Sequence, residues 1–239
     1  IGCFDGVHRG HQYLLEQVHN IAKAEGIASC LITFANHPRQ VLDTSFRPRL
    51  LTCLSQKIER FEQSPIEYCV LLPFTKELSL LSAREFMKVL HEEYHVQTLF
   101  VGHDHHFGHS KNEGFQEYCQ YGKEFGMRVM QSKALTEDGV SVSSTLIRSC
   151  LCEGKIELAN SYLGYHYYLT GTVVDGRKVG RTLGFPTANI QPLCADKLLP
   201  ALGVYAVYVY LGGKRYEGML NIGSCPTVHD GDKSITVEV

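Results

Sequence analysis

The sequence lacks several features, and each absence narrows what the chain can be. No Cys-x-x-Cys pair occurs among its nine cysteines, which are scattered and odd in number. A disulfide framework belongs to short, loop-rich secreted domains, so these thiols read as small core residues or free thiols in a reducing compartment, and a cytoplasmic location is expected. No apolar run approaches the ~20 residues that a membrane-spanning helix needs, and no signal-peptide pattern stands at the start. There is no internal repeat and no low-complexity segment. Charge is nearly balanced, at −2 over 239 residues, so there is no broad basic surface for nucleic-acid backbone. A local anion site needs no such surface, and small phosphorylated ligands stay open. Nothing in the pattern specifies an oligomeric state. The initiating methionine is also absent: the chain begins Ile1-Gly2-Cys3, as a chain that has lost the start of its first strand would.

What is present divides into two halves of different period. Hydrophobic residues make up 44% and charged residues 20% of the chain, and the length allows one or two domains with sizeable cores. In the first half, apolar runs at Ala28–Phe34, Glu67–Pro73, Thr98–Gly102 and Met127–Gln131 predict strands. Between them, Tyr13, Leu14, Val18, Ile21 and Ala22, and later Phe86, Val89, Leu90 and Tyr94, recur at helical spacing. Strands alternating with helices predict βαβ units and a mainly parallel sheet, with ligands beyond the carboxyl ends of its strands. Gly154–Gly164 reads as a last helix. After it, Tyr167–Val174, Gly203–Leu211 and Lys214–Ile222 are rich in Val, Tyr and Thr, and Gly212-Gly213 marks a tight hairpin turn. This half predicts a small antiparallel sheet or barrel. The boundary falls near residue 164.

Three runs carry chemistry. The first, Gly2-Cys3-Phe4-Asp5-Gly6-Val7-His8-Arg9-Gly10-His11, leads from a strand end into the first helix. Free N–H groups and the positive end of the helix dipole meet there. Gly10 admits a phosphate close to the backbone, and His8 and His11 add donors for developing negative charge. The plain alternative is a strand-to-helix turn with two exposed histidines. The second run, Ser143-Ser144-Thr145-Leu146-Ile147-Arg148, places hydroxyls and an arginine on a first helical turn as a second anion cradle. Taken alone it also reads as an N-capping serine before a surface arginine. The third, Gly180-Arg181-Thr182-Leu183-Gly184-Phe185-Pro186-Thr187-Ala188-Asn189, is a glycine-flanked loop that suits phosphates at Gly180 and Gly184. Thr187 and Asn189, at i and i+2 of an extended segment, offer hard oxygens to Mg²⁺. An ordinary surface loop is the alternative.

Together these runs resemble the bacterial bifunctional riboflavin kinase/FMN adenylyltransferases, or FAD synthetases. GxFDGxHxGH and SSTxIR are similar to the HxGH nucleotidyltransferase motifs. Thr33–Pro38, Leu51-Thr52 with Lys57, and Val101–Gly114 resemble further segments of the adenylyltransferase part. Two departures stand in the last of these: His105 replaces a usual Phe, and Lys111 a usual Arg, keeping the charge without the planar fork. GRTLGFPTAN, Leu199–Tyr205, Asn221–Thr227 and Thr236–Val239 resemble the kinase part in the same order.

The resemblance implies a Rossmann-like HxGH nucleotidyltransferase domain over residues 1–164, followed by a β-barrel of the riboflavin kinase type over 165–239 whose C-terminal part is missing. It implies that ATP phosphorylates riboflavin to FMN in the second part and adenylylates FMN to FAD in the first, with release of pyrophosphate. Catalytic roles fall on His8, His11, Arg148 and Glu238, the last as base on the riboflavin hydroxyl. Gly2, Phe4, Asp5, Gly10, Ser144, Thr145, Gly180 and Gly184 would hold ATP and phosphate, and Asn36, His37, Asp104 and Phe107 flavin or nucleotide. Mg²⁺ would sit on Thr187 and Asn189. The cluster His103, His105, His106, His109 with Asp104 invites a second metal reading. Its spacing lacks a helical i,i+4 pair and the resemblance accounts for Asp104, Phe107 and Gly108 without a metal, so none is expected there. The competing expectations are a nucleotidyltransferase for pantetheine or glycerol phosphates and a non-catalytic flavin-binding domain.

Overall fold

The computed structural model describes residues 1–102, 106–110, 112–132, 135–137, 139–175, 187–224 and 233–238, with side chains omitted at 137, 224, 233–234 and 236–238. It is a mixed α/β fold in two compact units: Ile1–Pro48 with Thr52–Ser144, and Arg49–Leu51 with Thr145–Val239.

The first unit alternates between strands and one or two helices up to β4 (Arg128–Gln131) and ends in a short β-hairpin. It runs α1 (Arg9–Glu25), β1 (Cys30–Phe34), α2 (Pro38–Leu42), α3 (Leu54–Glu62), β2 (Tyr68–Leu72), α4 (Lys76–Leu80), α5 (Ala83–Glu92), β3 (Thr98–Val101), α6 (Phe115–Phe125), β4 (Arg128–Gln131), β5 (Thr136–Glu137) and β6 (Val140–Ser141). β1 pairs with β2, and β3 with β4, both in parallel, and Gly2 bridges Thr33 in parallel on the other edge of β1. The four strands predicted from apolar runs lie at these positions.

The alternation of side chains along a strand sorts the core into two layers. Leu31 packs with Leu14 and Leu15 of α1 and Phe61 of α3, together with Phe4 and Val7. Its neighbour Ile32 packs with Ala83, Phe86, Met87 and Leu90 of α5 and Tyr118 of α6. β3 repeats the division, with Leu99 and Val101 in the α5–α6 core and Phe100 against the α1–α3 core. Helices therefore cover both faces of the parallel strands. Helix ends follow local chemistry. Ser82 and Glu85 form a reciprocal capping box at the start of α5, and α1 ends at Gly26 in the left-handed region (φ 67°).

The second unit holds α7 from Thr145 onward (Ser144–Cys152), α8 (Ile156–Leu163), β7 (Gly171–Val174), β8 (Ala188–Pro192), β9 (Gly203–Leu211), β10 (Lys214–Ser224) and β11 (Lys233–Glu238). Its five strands make one antiparallel sheet in the order β7-β8-β11-β10-β9. Gly212 and Gly213 turn the β9–β10 hairpin with φ of 56° and 77°, the pair of positive values that a two-residue hairpin turn requires. Arg49–Leu51 docks beside Asp196–Leu198: Leu50 bridges Lys197, Leu50 N donates to Asp196 O, Leu198 N donates to Leu50 O, and the Lys197 ammonium donates to Leu51 O.

Candidate functional site

The turn that enters α1 follows Gly2, which bridges Thr33 near the carboxyl end of β1. The turn is strained. Phe4 and Val7 adopt φ of 50° and 37°, and Gly6 lies between them at 84°. A β-branched residue at positive φ is a genuine outlier, held only where surrounding contacts over-determine it. Those contacts are present. Val7 N donates to Phe4 O at 3.0 Å, and both side chains are buried in the α1–α3 core.

Thr52, just before α3, clasps the middle of the turn. Its N–H and hydroxyl donate to Asp5 Oδ1 at 3.0 and 3.3 Å, and its hydroxyl oxygen accepts from Gly6 N at 2.9 Å. Ser144 Oγ adds a bond to Asp5 O at 2.8 Å. The structure thus directs the Asp5 carboxylate to Thr52, and Asp5 shapes the turn on which phosphates were expected. Phe4 is likewise a wall: its ring meets His11 and Phe61 edge-on, at 5.1 and 5.8 Å. Gly2 leaves room for that ring, since a Cβ there would lie 3.2 Å from Phe4 Cε2.

His8 is the N-cap of α1 and only 5% exposed. Its Nδ1 accepts from His11 N at 3.3 Å, which assigns the ring proton to Nε2 and leaves that N–H as the ring's donor. The His11 ring stacks on His8, with centroids 3.6 Å apart and planes at 20°. Gly10 has a reason beyond the one the sequence suggests. A Cβ there would stand 3.1 Å from His8 Nδ1 and 3.3 Å from Val142 O. The residue makes space for the histidine ring.

Lys57 and Thr52, named in the sequence only within a segment of the resemblance and given no role there, both bond to the turn. The Lys57 ammonium is buried and donates to Cys3 O (3.2 Å), Thr33 Oγ1 (3.2 Å) and Phe34 O (2.9 Å). Burial pulls its pKa below the usual lysine value, against the opposing influence of Cys3, Asp5 and Cys69. The available signal was its place on α3: four residues before the buried Phe61, it is a lysine on the apolar stripe.

The described ones among the remaining expected residues of this unit make contacts of their own. The Asn36 amide ties β1 to β2, donating to Phe74 O at 3.0 Å and accepting from Phe74 N at 2.8 Å. His37 caps the short α2, its Nδ1 accepting from Arg39 N. Phe107 stacks on Tyr118 at 4.2 Å and so faces the α5–α6 core. Asp104, with His103, His105 and Lys111, lies outside the described residues. His106 Nδ1 lies 3.2 Å from Glu113 O, and among the described residues no group of three or more His, Cys, Asp or Glu could hold a metal ion.

In the second unit Thr145 is exposed on the first turn of α7. One turn further, Arg148 Nε donates to Arg49 O at 2.9 Å. Thr187 is exposed and Asn189 partly so at the start of β8. The register pairs Asn189 with Thr236 and Ala188 with Val237, so the next antiparallel step sets Thr187 level with Glu238. The hydroxyl and amide oxygens of Thr187 and Asn189 are a donor set that fits Mg²⁺. Gly180 and Gly184 lie outside the described residues.

A strained turn with a stacked histidine pair at a helix N-terminus, on a parallel α/β frame, is an arrangement that can accept a phosphate group. Comparison with known proteins makes this particular. The family model described as FAD synthetase matches residues 1–146, and that described as riboflavin kinase matches residues 163–239. Proteins named bifunctional riboflavin kinase/FMN adenylyltransferase are similar throughout. That of Buchnera aphidicola is 36% identical over 243 residues, covering 100% of this chain and 77% of its own. That of Listeria monocytogenes is 37% identical over 242 residues, covering 100% and 76%. That of Escherichia coli K12 is 36% identical over 230 residues, covering 95% and 73%. A crystal structure of a protein from Streptococcus pneumoniae, named a macrolide-efflux protein, superposes with a TM-score of 0.89 at 27% identity, covering 100% of this chain and 77% of that one. Among the described residues here, no helix is long and apolar enough to cross a membrane.

The chain belongs to the bifunctional riboflavin kinase/FMN adenylyltransferase family, the enzymes of FAD biosynthesis from riboflavin.

Proposed function

We propose that residues 1–164, as a Rossmann-like HxGH nucleotidyltransferase, adenylylate FMN, and that residues 165–239, on a β-barrel frame, phosphorylate riboflavin. The observation that carries the first assignment is the His8–His11 pair, stacked and capped at the mouth of α1. A phosphate oxygen of FMN attacks the α-phosphorus of ATP, the bond to the bridging oxygen breaks, and pyrophosphate leaves. No covalent enzyme intermediate is needed. His8 Nε2–H, His11, the Thr145 hydroxyl and the Arg148 guanidinium stabilise the charge that gathers on the phosphates, and Ser144, whose hydroxyl donates to Asp5 O, holds the turn beside them. Gly10 keeps the approach open, and Gly2, Phe4 and Asp5 hold the turn. The contacts to flavin or nucleotide are assigned to Asn36, His37 and Asp104, with Phe107 acting from its packing on the α5–α6 core.

In the kinase part, Glu238 takes the proton from the riboflavin 5′-hydroxyl as its oxygen attacks the γ-phosphorus of ATP. The register that sets Glu238 level with Thr187 supports this assignment. Thr187 and Asn189 hold Mg²⁺ by their oxygens, with Gly180 and Gly184 near the phosphates. Bound Mg²⁺ supplies neutralisation of the phosphate oxygens. The substrates are small molecules handled in the cytoplasm, and neither nucleic acid nor membrane is a partner.

The test is incubation with FMN, ATP and Mg²⁺ and separation of FAD from FMN by chromatography, repeated from riboflavin. The reading expects FAD and pyrophosphate in equal amounts from FMN. Flavin binding without pyrophosphate release would overturn it.

A further inference from the structure

Lys57 occupies an unusual position for a charged residue. It is 9% exposed, all three ammonium donors are used on Cys3 O, Thr33 Oγ1 and Phe34 O, and among the described residues it forms no ion pair. The nearby carboxylate, that of Asp5, is engaged by Thr52. A buried cation that shares its nearby carboxylate with another donor and forms no direct ion pair is expensive, and a neutral side chain would fill the space at lower cost. Its retained charge therefore needs a use. Gly2 pairs with Thr33, so Cys3 and Phe34 end two neighbouring parallel strands side by side. The loop after Cys3 carries Phe4 to His11, and the loop after Phe34 carries Asn36 and His37. One ammonium ties the roots of both loops. Thr52 and Lys57 grip the same turn from one short segment, Thr52 at Asp5 and Gly6, Lys57 at Cys3.

We propose that Lys57 is a positioning residue for adenylyl transfer, fixing the two strand ends behind the Cys3–Gly6 turn and keeping a positive charge beneath the phosphates that the turn holds. The inference rests on the reading that this turn binds ATP phosphates. It assigns Lys57 a role through the turn and not through contact with substrate. A fixed charge in a low-dielectric setting acts over several ångströms on an anion above it.

The experiment compares Lys57→Met, Lys57→Gln and Lys57→Arg in the full chain. For each, kcat and KM of FAD formation, inhibition by inorganic pyrophosphate, riboflavin phosphorylation and the thermal midpoint are measured. Lys57→Met and Lys57→Gln should each weaken pyrophosphate binding about tenfold, the equivalent of one modest charge interaction. Both should lower kcat of FAD formation by about tenfold or more, and riboflavin phosphorylation should stay within about twofold of the parent. Lys57→Arg should recover most of the pyrophosphate affinity. The Gln variant keeps a hydrogen-bonding group without charge, so it serves where the Met variant does not fold. Unchanged pyrophosphate affinity in the Gln variant overturns the proposal. Equal loss of both activities and of thermal stability in all three variants overturns it as well, since that marks a strand staple and nothing more. Absence of FAD formation by the unaltered protein would strike the adenylyl-transfer reading instead.

Discussion

Asp5 and Thr52 stand 47 positions apart and are joined by two hydrogen bonds, from the Thr52 N–H at 3.0 Å and its hydroxyl at 3.3 Å, both to Asp5 Oδ1. The same hydroxyl oxygen accepts from Gly6 N at 2.9 Å. This knot explains how Phe4 and Val7 remain at positive φ: the conformation is held by a partner outside the turn. Strain of that kind costs of order 1–3 kcal/mol per residue and persists at sites whose geometry is used.

Replacing Thr52 with Val tests the knot. The side chain keeps its shape and loses the hydroxyl, which leaves the buried Gly6 N–H without this acceptor and the Asp5 carboxylate with one donor fewer. Such a loss costs about 1–3 kcal/mol. The expected outcome of Thr52→Val is a lower thermal midpoint by calorimetry and a slower conversion of FMN to FAD, with riboflavin phosphorylation nearly unchanged. An unaltered midpoint would show that the knot contributes nothing to the turn.

His11→Ala separates the two reactions. It removes a donor expected to face developing phosphate charge, and loss of one such donor costs about 10²–10³ in kcat. It also removes the partner stacked 3.6 Å from His8. FAD formation from FMN should fall by that factor, while FMN formation from riboflavin stays near that of the parent. Equal loss of both, measured by chromatography of the flavins, would count against two separate sites.

Much of this fold is legible in the chain. β9 lies at Gly203–Leu211 as its richness in Val and Tyr predicts, and β1 to β4 fall inside the predicted apolar runs, because composition and periodicity are local properties. The two-residue strands β5 and β6 and the five-residue helices α2 and α4 are too short to show a period. The histidine turn is equally legible, since all its chemistry lies within ten consecutive residues. The grip of Thr52 and Lys57 on that turn is not. It joins residues some fifty positions apart, and nothing in either segment marks the other as its partner. Asp5 shows the same limit: the resemblance implied ligand binding, and only the long-range bond reveals that the carboxylate is engaged within the protein.

Stability should fall on acidification. Glu85 sits below the ordinary glutamate range because Ser82 hydrogen-bonds it, Glu117 because the Gly114 N–H does, and Asp43 below the aspartate range because Ser45 does. Each has a lower pKa folded than unfolded, so the unfolded chain binds more protons in that window. The stabilisation is fully present above the unfolded values and is lost as pH falls through the folded ones. Lys57 acts at the alkaline end: its lowered pKa makes stability rise with pH between its folded and unfolded values. The thermal midpoint should therefore decline from about pH 6 to pH 3, and Glu85→Gln should flatten part of that slope. A midpoint independent of pH over this range would refute the assignment.

Gly10→Ala sets local propensity against site geometry. Gly10 lies in the first turn of α1, where alanine is the better helix former by up to about 1 kcal/mol. Propensity alone therefore predicts a protein at least as stable. The added Cβ, however, would stand 3.1 Å from His8 Nδ1 and 3.2 Å from His8 Cε1, with Val142 O at 3.3 Å behind it. The backbone carbonyl yields less readily than the ring, so the ring moves. A displaced His8 loses both its bond from His11 N and its stack on His11. Circular dichroism should show an intact helix content, and the thermal midpoint should change by no more than a few degrees, as expected for a shift of at most about 1 kcal/mol. FAD formation should drop by about tenfold or more, as a misplaced donor of the oxyanion-hole type implies. Full activity in this variant would mean that the His8–His11 stack is a packing detail and that the glycine is there for the helix entrance alone.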